Sequence, residues 1–118
     1  MNAVMQLVKD LVNQFPVLED SYETHVFNEG ELLPHVFFWD VTQDVVSSFA
    51  TPDSKALDWR AVLSFLEENL SKGIPEVNEV ICTSFLWYLP QPGNPGYEIT
   101  GRMGPAMARR FQEIRPSG

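Results

Sequence analysis

The chain has 118 residues, of which 44% are hydrophobic and 20% charged, a composition that excludes disordered and fibrous classes and suits one domain. Its formal net charge of -8 argues against nucleic acid and anionic membrane as partners, since both are bound through a basic footprint that displaces counterions. One cysteine, Cys82, leaves no internal disulfide framework and no multi-cysteine zinc module.

Val4, Leu7, Val8, Leu11, Val12 and Phe15 recur at spacings of three and four, which predicts a first helix from about Asn2 to Phe15. Pro16 ends it and suits the first turn of a second, in which Leu18, Tyr22, His25 and Val26 form the stripe, Glu19, Asp20 and Glu23 sit near the positive end of the dipole, and Asn28 to Gly30 stop it. Pro34 opens a third segment rich in β-branched and aromatic residues. Phe37, Phe38, Val41, Val45 and Phe49 nonetheless keep to one helical face and strict alternation is absent, so it reads as a helix broken at Thr51-Pro52-Asp53. A fourth helix runs from about Ser54 to Ser71, with Leu57, Ala61, Leu63, Leu66 and Leu70 inward and Glu67 and Glu68 on the far side. A fifth starts at Pro75 and carries Val77, Val80, Ile81, Ser84, Phe85 and Tyr88 at helical intervals. The proline-rich stretch 89–96 cannot continue a helix and is either an ordered turn or a mobile loop. Tyr97 to Arg102 alternates too briefly to assign a strand. Gly104-Pro105 introduces a last helix with Met107, Ala108, Phe111 and Ile114 inward and Arg109, Arg110 and Arg115 exposed, and Pro116-Ser117-Gly118 is expected to fray. The fold expected is all-α, a single compact domain of about five or six helices spanning 1–118.

No apolar run approaches a membrane span and no signal peptide opens the chain, so a soluble cytoplasmic protein is the expectation. Charge is polarised along the sequence. Residues 1–80 hold fourteen carboxylates against four Lys and Arg, a net of -10, whereas residues 81–118 hold two carboxylates against four arginines, a net of +2.

No catalytic constellation stands out. Cys82 lies in the apolar run Val80-Ile81-Cys82 and reads as a small core residue rather than a nucleophile served by His25 or His35. Ser84 lacks the glycine elbow of a hydrolase serine. Glu31 with His35, and Asp40 with Asp44, are each four apart, which supplies at most one imidazole and three carboxylates, short of a zinc-protease signature. Adjacent carboxylates such as Glu67-Glu68 point different ways around a helix, and Gly93 to Gly96 lacks a phosphate-loop ending, so neither a metal nor a cofactor is expected. The aromatic residues are mostly core, with Trp39, Trp87 and Tyr97 as candidates for interface anchors beside carboxylates.

Four segments in order carry a resemblance: Glu31-Leu32-Leu33-Pro34-His35, Phe65-Leu66-Glu67-Glu68-Asn69-Leu70, the stretch from Val80 to Pro90 with Ser84-Phe85-Leu86 and Leu89-Pro90, and Gly104-Pro105-Ala106-Met107. From Leu7 to about Phe111 the chain resembles a family of small acidic helical bacterial proteins of unknown function, some of which resemble immunity proteins of polymorphic or contact-dependent toxin systems. The shared motifs are hydrophobic and turn residues, and no catalytic set comes with them. The proline-rich turn and the arginine-rich end depart from the family pattern. The resemblance implies a non-enzymatic protein that binds and occludes a cognate toxin domain, such as a basic nuclease. The candidate partner-binding residues, on charge and aromaticity, are Glu19, Asp20, Glu23, Trp39, Asp40, Asp44, Glu67, Glu68 and Trp87. The alternatives are an adaptor domain of a bacterial assembly and, third, a small enzyme with a pocket near His25 or His35.

Overall fold

A computed structural model describes residues 2–51 and 57–118. Among these the regular structure is all helical, with α1 (Ala3–Gln14), α2 (Glu19–Glu29), α3 (Pro34–Ala50), α4 (Trp59–Ser71), α5 (Pro75–Ile81) and α6 (Pro105–Ile114). A π-helical segment, Cys82–Leu86, prolongs α5, and two 3-10 segments cover Pro16–Leu18 and Tyr97–Arg102. Six α-helices and the π segment exceed the five or six helices expected, because the stretch after Ile81 winds with a different pitch instead of continuing α5. The radius of gyration, 13.5 Å, is that of a close-packed chain of this length.

The local reasons for these boundaries are side-chain caps and glycines. Asn2 accepts the backbone N–H of Val4 at 2.8 Å and so starts α1 at Ala3. Gly30 ends α2 in the left-handed conformation, with φ 79°. The second helix was expected from Pro16, but its first turn is a 3-10 turn. The ring of Pro16 provides no N–H, and Leu18 N–H donates to the carbonyl of Phe15. The expected Ser54 start of the fourth helix, with Pro52 and Asp53, lies outside the described residues. Leu57 and Asp58 are described and are not helical. Asp58 is the N-cap, its carboxylate accepting Ala61 N–H at 3.1 Å, so the helix begins at Trp59.

One core cluster joins all the elements. Leu7, Val8 and Leu11 of α1, Phe37, Phe38, Val41 and Val45 of α3, Leu63, Leu66 and Leu70 of α4, and Val80, Ile81, Phe85 and Leu86 are buried, and Met107 and Phe111 of α6 close it. The central element is α3, which packs on the π segment, α2, α4, α5 and α1. At the π segment the chain widens so that the Ser84 carbonyl can take the Thr42 hydroxyl, while Trp87 N–H reaches back to the Cys82 carbonyl. That extra residue in the turn rotates the following ones, and Tyr88, expected inward, is 47% exposed.

Two expectations about the end of the chain are overturned. Arg115 is 7% exposed rather than solvated. Its guanidinium donates to the carbonyls of Leu89 at 2.6 Å, Pro90 at 2.8 Å and Gly118 at 2.8 Å, with longer bonds to Leu86 and Trp87, and lies over the Phe111 ring. The carbonyls of Leu89, Pro90 and Gly118 lie outside the helices, and a planar five-donor cation satisfies them together. Pro116-Ser117-Gly118 therefore folds back onto the proline-rich turn instead of fraying. That turn is a series of bends closed by Gly96, where a Cβ would stand 2.8 Å from Val46 Cγ1 and φ is +87°. Tyr97–Arg102, left without an assignment from sequence, is a 3-10 segment.

Candidate functional site

The helices α2 and α3 form an antiparallel hairpin. Ser21 Oγ donates to Asp44 Oδ2 at 3.0 Å near one end, the Tyr22 and His25 rings pack on Phe37 further along, and Leu33 N–H donates to His25 Nε2 at 2.9 Å beside the connection. That last bond makes His25 a tie between α2 and the residue that precedes α3. From Glu19 to Ala50 the sequence has seven carboxylates (Glu19, Asp20, Glu23, Glu29, Glu31, Asp40, Asp44) and neither lysine nor arginine.

Several of the expected site residues meet here. Asp20, Ser21 and Thr24 of α2 and Asp40, Gln43 and Asp44 of α3 line one open depression between the helices. Burial raises the carboxyl pKa of both aspartates above the ordinary value. At Asp40 the attraction of His25 opposes the shift while the charges of Asp44 and Glu29 add to it, and at Asp44 the Ser21 hydroxyl opposes it. Glu19 and Glu23 are exposed on α2, and Trp39 is 44% exposed beside Asp40.

Three expected residues lie elsewhere. Glu67 is not on the far side of α4. Its two carboxylate oxygens accept Ala106 N–H at 2.8 Å and Met107 N–H at 2.9 Å, capping the N-terminus of α6. Gly104 permits this approach, since a Cβ there would fall 2.6 Å from the Glu67 carboxyl carbon. Glu68 is exposed in a separate depression lined by Asp10, Asn13 and Lys72 among others, and Trp87 stands at the end of the π segment where Arg115 gathers the carbonyls. The residue that sequence reasoning missed is Phe27, 86% exposed on α2. It falls four after Glu23 and seven after Asp20, on the outward stripe, and that spacing was the available signal.

The nucleophile candidates are placed unfavourably for chemistry. His35 Nδ1 is hydrogen-bonded to Ser84 Oγ, but Ser84 is 3% exposed and packed between α3 and the π segment. Cys82 is half-buried rather than fully core, and burial raises its thiol pKa, with Arg110 opposing and Glu113 adding, so the thiolate is disfavoured. Among the described residues no three His, Cys, Asp or Glu side chains converge to hold a metal ion, and no helix is long and apolar enough to cross a membrane. No protein-family model, curated protein or solved structure matches the chain.

Proposed function

We propose that this chain is an immunity-type inhibitor, a helical protein-binding module that recognises a basic toxin domain and blocks it by occlusion. The observation that carries the reading is the α2–α3 hairpin, with seven carboxylates and no lysine or arginine from Glu19 to Ala50. Carboxylates on a rigid hairpin steer a basic partner from a distance and occupy the groove where the partner would hold phosphates, so inhibition requires no chemistry on the inhibitor's side. The resemblance to small acidic immunity-like proteins supports the same reading. An adaptor role in a larger assembly is the second reading, favoured by Trp87 and Tyr88, which are 52% and 47% exposed and do not line the acidic depression.

The test is co-expression with the products of the genes that neighbour this chain's own, basic domains first. Growth rescue by the wild-type chain, with a stable complex on gel filtration, is the expected result. Absence of both rescue and complex with basic neighbouring products would remove the inhibitor reading.

A further inference from the structure

The helix α2 is held by little. Its 11 residues bury only His25, and it packs principally on α3 and on the 3-10 turn that leads into it. An isolated helix of this length is marginal in water, and this one has a small apolar face turned inward. Its outward stripe carries Asp20, Glu23 and Phe27, spaced i, i+3 and i+7, while the outward stripe of α3 carries Val36, Trp39 and Gln43 at the same spacing. Asp20 and Gln43 both line the depression between the helices, so the two stripes flank it. Phe27 is 86% exposed, and Val36 and Trp39 each expose more than two-fifths of their surface. Phe27 on α2, and Val36 and Trp39 on α3, thus stand exposed on the two helices that bound an acidic trough, the first of them on the helix with the least support from the core.

We propose that this outward face of the α2–α3 hairpin is a docking surface, and that its occupant is a basic amphipathic segment of the partner protein. Its apolar side packs on Phe27, Val36 and Trp39 while its lysines and arginines enter the trough at Asp20, Asp40 and Asp44. The proposal rests on the reading that the chain binds a basic protein, and goes beyond it in naming the face, the anchors and the chemistry of the bound segment. Charge complementarity selects the occupant. A segment with apolar residues alone would leave the trough carboxylates unpaired in a desolvated interface, and an acidic one would be repelled. A second copy of this chain is disfavoured because each copy carries a net charge of -8.

The three tryptophans make the test direct, because Trp39 is on the face, Trp59 borders a depression with Arg60 and Arg102, and Trp87 ends the π segment. The full chain, labelled with nitrogen-15, is titrated with a synthetic helical peptide of leucine and lysine whose leucines form one stripe. The Trp39 indole and the amides of α2 and of α3 as far as Asp44 are expected to shift, with Trp59 and Trp87 unmoved. Phe27→Ser leaves the circular dichroism unchanged and weakens peptide binding at least about tenfold, as does Trp39→Ala. A peptide with every lysine replaced by glutamate does not bind, and one with every leucine replaced by serine binds at least about tenfold more weakly. Shifts centred on Trp87 or Trp59, equal binding by Phe27→Ser, or equal binding of the leucine-free peptide would overturn the proposal. So would a concentration-dependent shift of the Trp39 indole in the protein alone, with dimerisation in sedimentation equilibrium. Should a co-expressed basic protein bind the wild-type chain and Phe27→Ser equally, yet lose affinity for Trp87→Ala or Glu68→Lys, the face is wrong while the inhibitor reading stands. Failure of every basic protein to bind the wild type removes that reading itself.

Discussion

Asp40 and Asp44 lie one turn apart on α3, partly withdrawn from water, and burial holds both carboxyl groups above their ordinary value of 3.8. Between that value and the raised ones the folded chain binds more protons than the unfolded chain. Stability that is fully present below 3.8 is therefore lost as pH rises through the folded values, so at neutral pH the pair strains the free protein. Asp40→Asn is expected to stabilise the free chain slightly at pH 7, solvent screening keeping the gain small, and to lose that advantage near pH 3, where both forms are neutral at this position. Urea denaturation at the two pH values measures this, and a gain that persists in acid would refute the electrostatic cause. Binding of a basic partner should move the opposite way, weakening in Asp40→Asn, because the partner's cation is what the trough charge serves. At the other end of the molecule, Arg115→Ala removes the cation on which the carbonyls of Leu89, Pro90 and Gly118 converge, and is expected to cost about 3 kcal/mol; Arg115→Lys, without the planar fork, should cost about half as much. A urea midpoint unchanged in Arg115→Ala would show the carbonyls to be satisfied by water. Neither Arg115 nor Glu67 was legible in the sequence. Each is a charged residue on a helix or at its end, and its role depends on backbone groups distant in sequence, 26 residues away for the Leu89 bond of Arg115 and 39 for the Ala106 bond of Glu67.

At the scale of elements, apolar spacing located α1, α3 and α6 closely, because their stripes are long and their ends carry recognisable caps and prolines. The spacing failed where another local interaction competed. Asp58 caps α4 and starts it at Trp59, and the Thr42 hydroxyl meets the Ser84 carbonyl where α5 gives way to the π pitch. For α2 the stripe of Leu18, Tyr22, His25 and Val26 was readable, whereas its thin support was not, since that depends on which neighbours the fold supplies. Of the candidate site, Asp20, Asp40 and Asp44 were nameable from charge and are brought together around one depression, while Phe27 was invisible to a search for inward stripes. The weak support of α2 has a dynamic consequence. Its amides are expected to exchange hydrogen for deuterium faster than those of α4 and the π segment, because local opening costs least where the fewest apolar contacts are broken. Docking of a basic segment should slow exchange in α2 selectively. Protection of α2 equal to that of α4 in the free protein would contradict the picture of a helix awaiting a partner.

For the molecule as a whole, the acidic hairpin sits on a chain whose last 38 residues are net positive, so its field is uneven and orients an approaching cationic partner. If steering by that field brings the partner in, the association rate should fall steeply with salt, because the Debye length shrinks from about 30 Å at 0.01 M to about 8 Å at 0.15 M. Dissociation, governed by the packed anchors, should change much less. Replacing Glu19, Asp20 and Glu23 together by lysine inverts the charge of α2 and should cut the association rate, whereas Phe27→Ser should leave association nearly intact and speed dissociation. All four side chains are exposed, but three lysines at the positive end of the α2 dipole disfavour that helix, so circular dichroism on each variant is the control that keeps the kinetic split free of a folding defect. A triple reversal that raised only the dissociation rate would mean that the α2 carboxylates act as short-range contacts. Association independent of salt would mean that the field of the hairpin does not guide encounter, and that apolar contact alone brings the surfaces together.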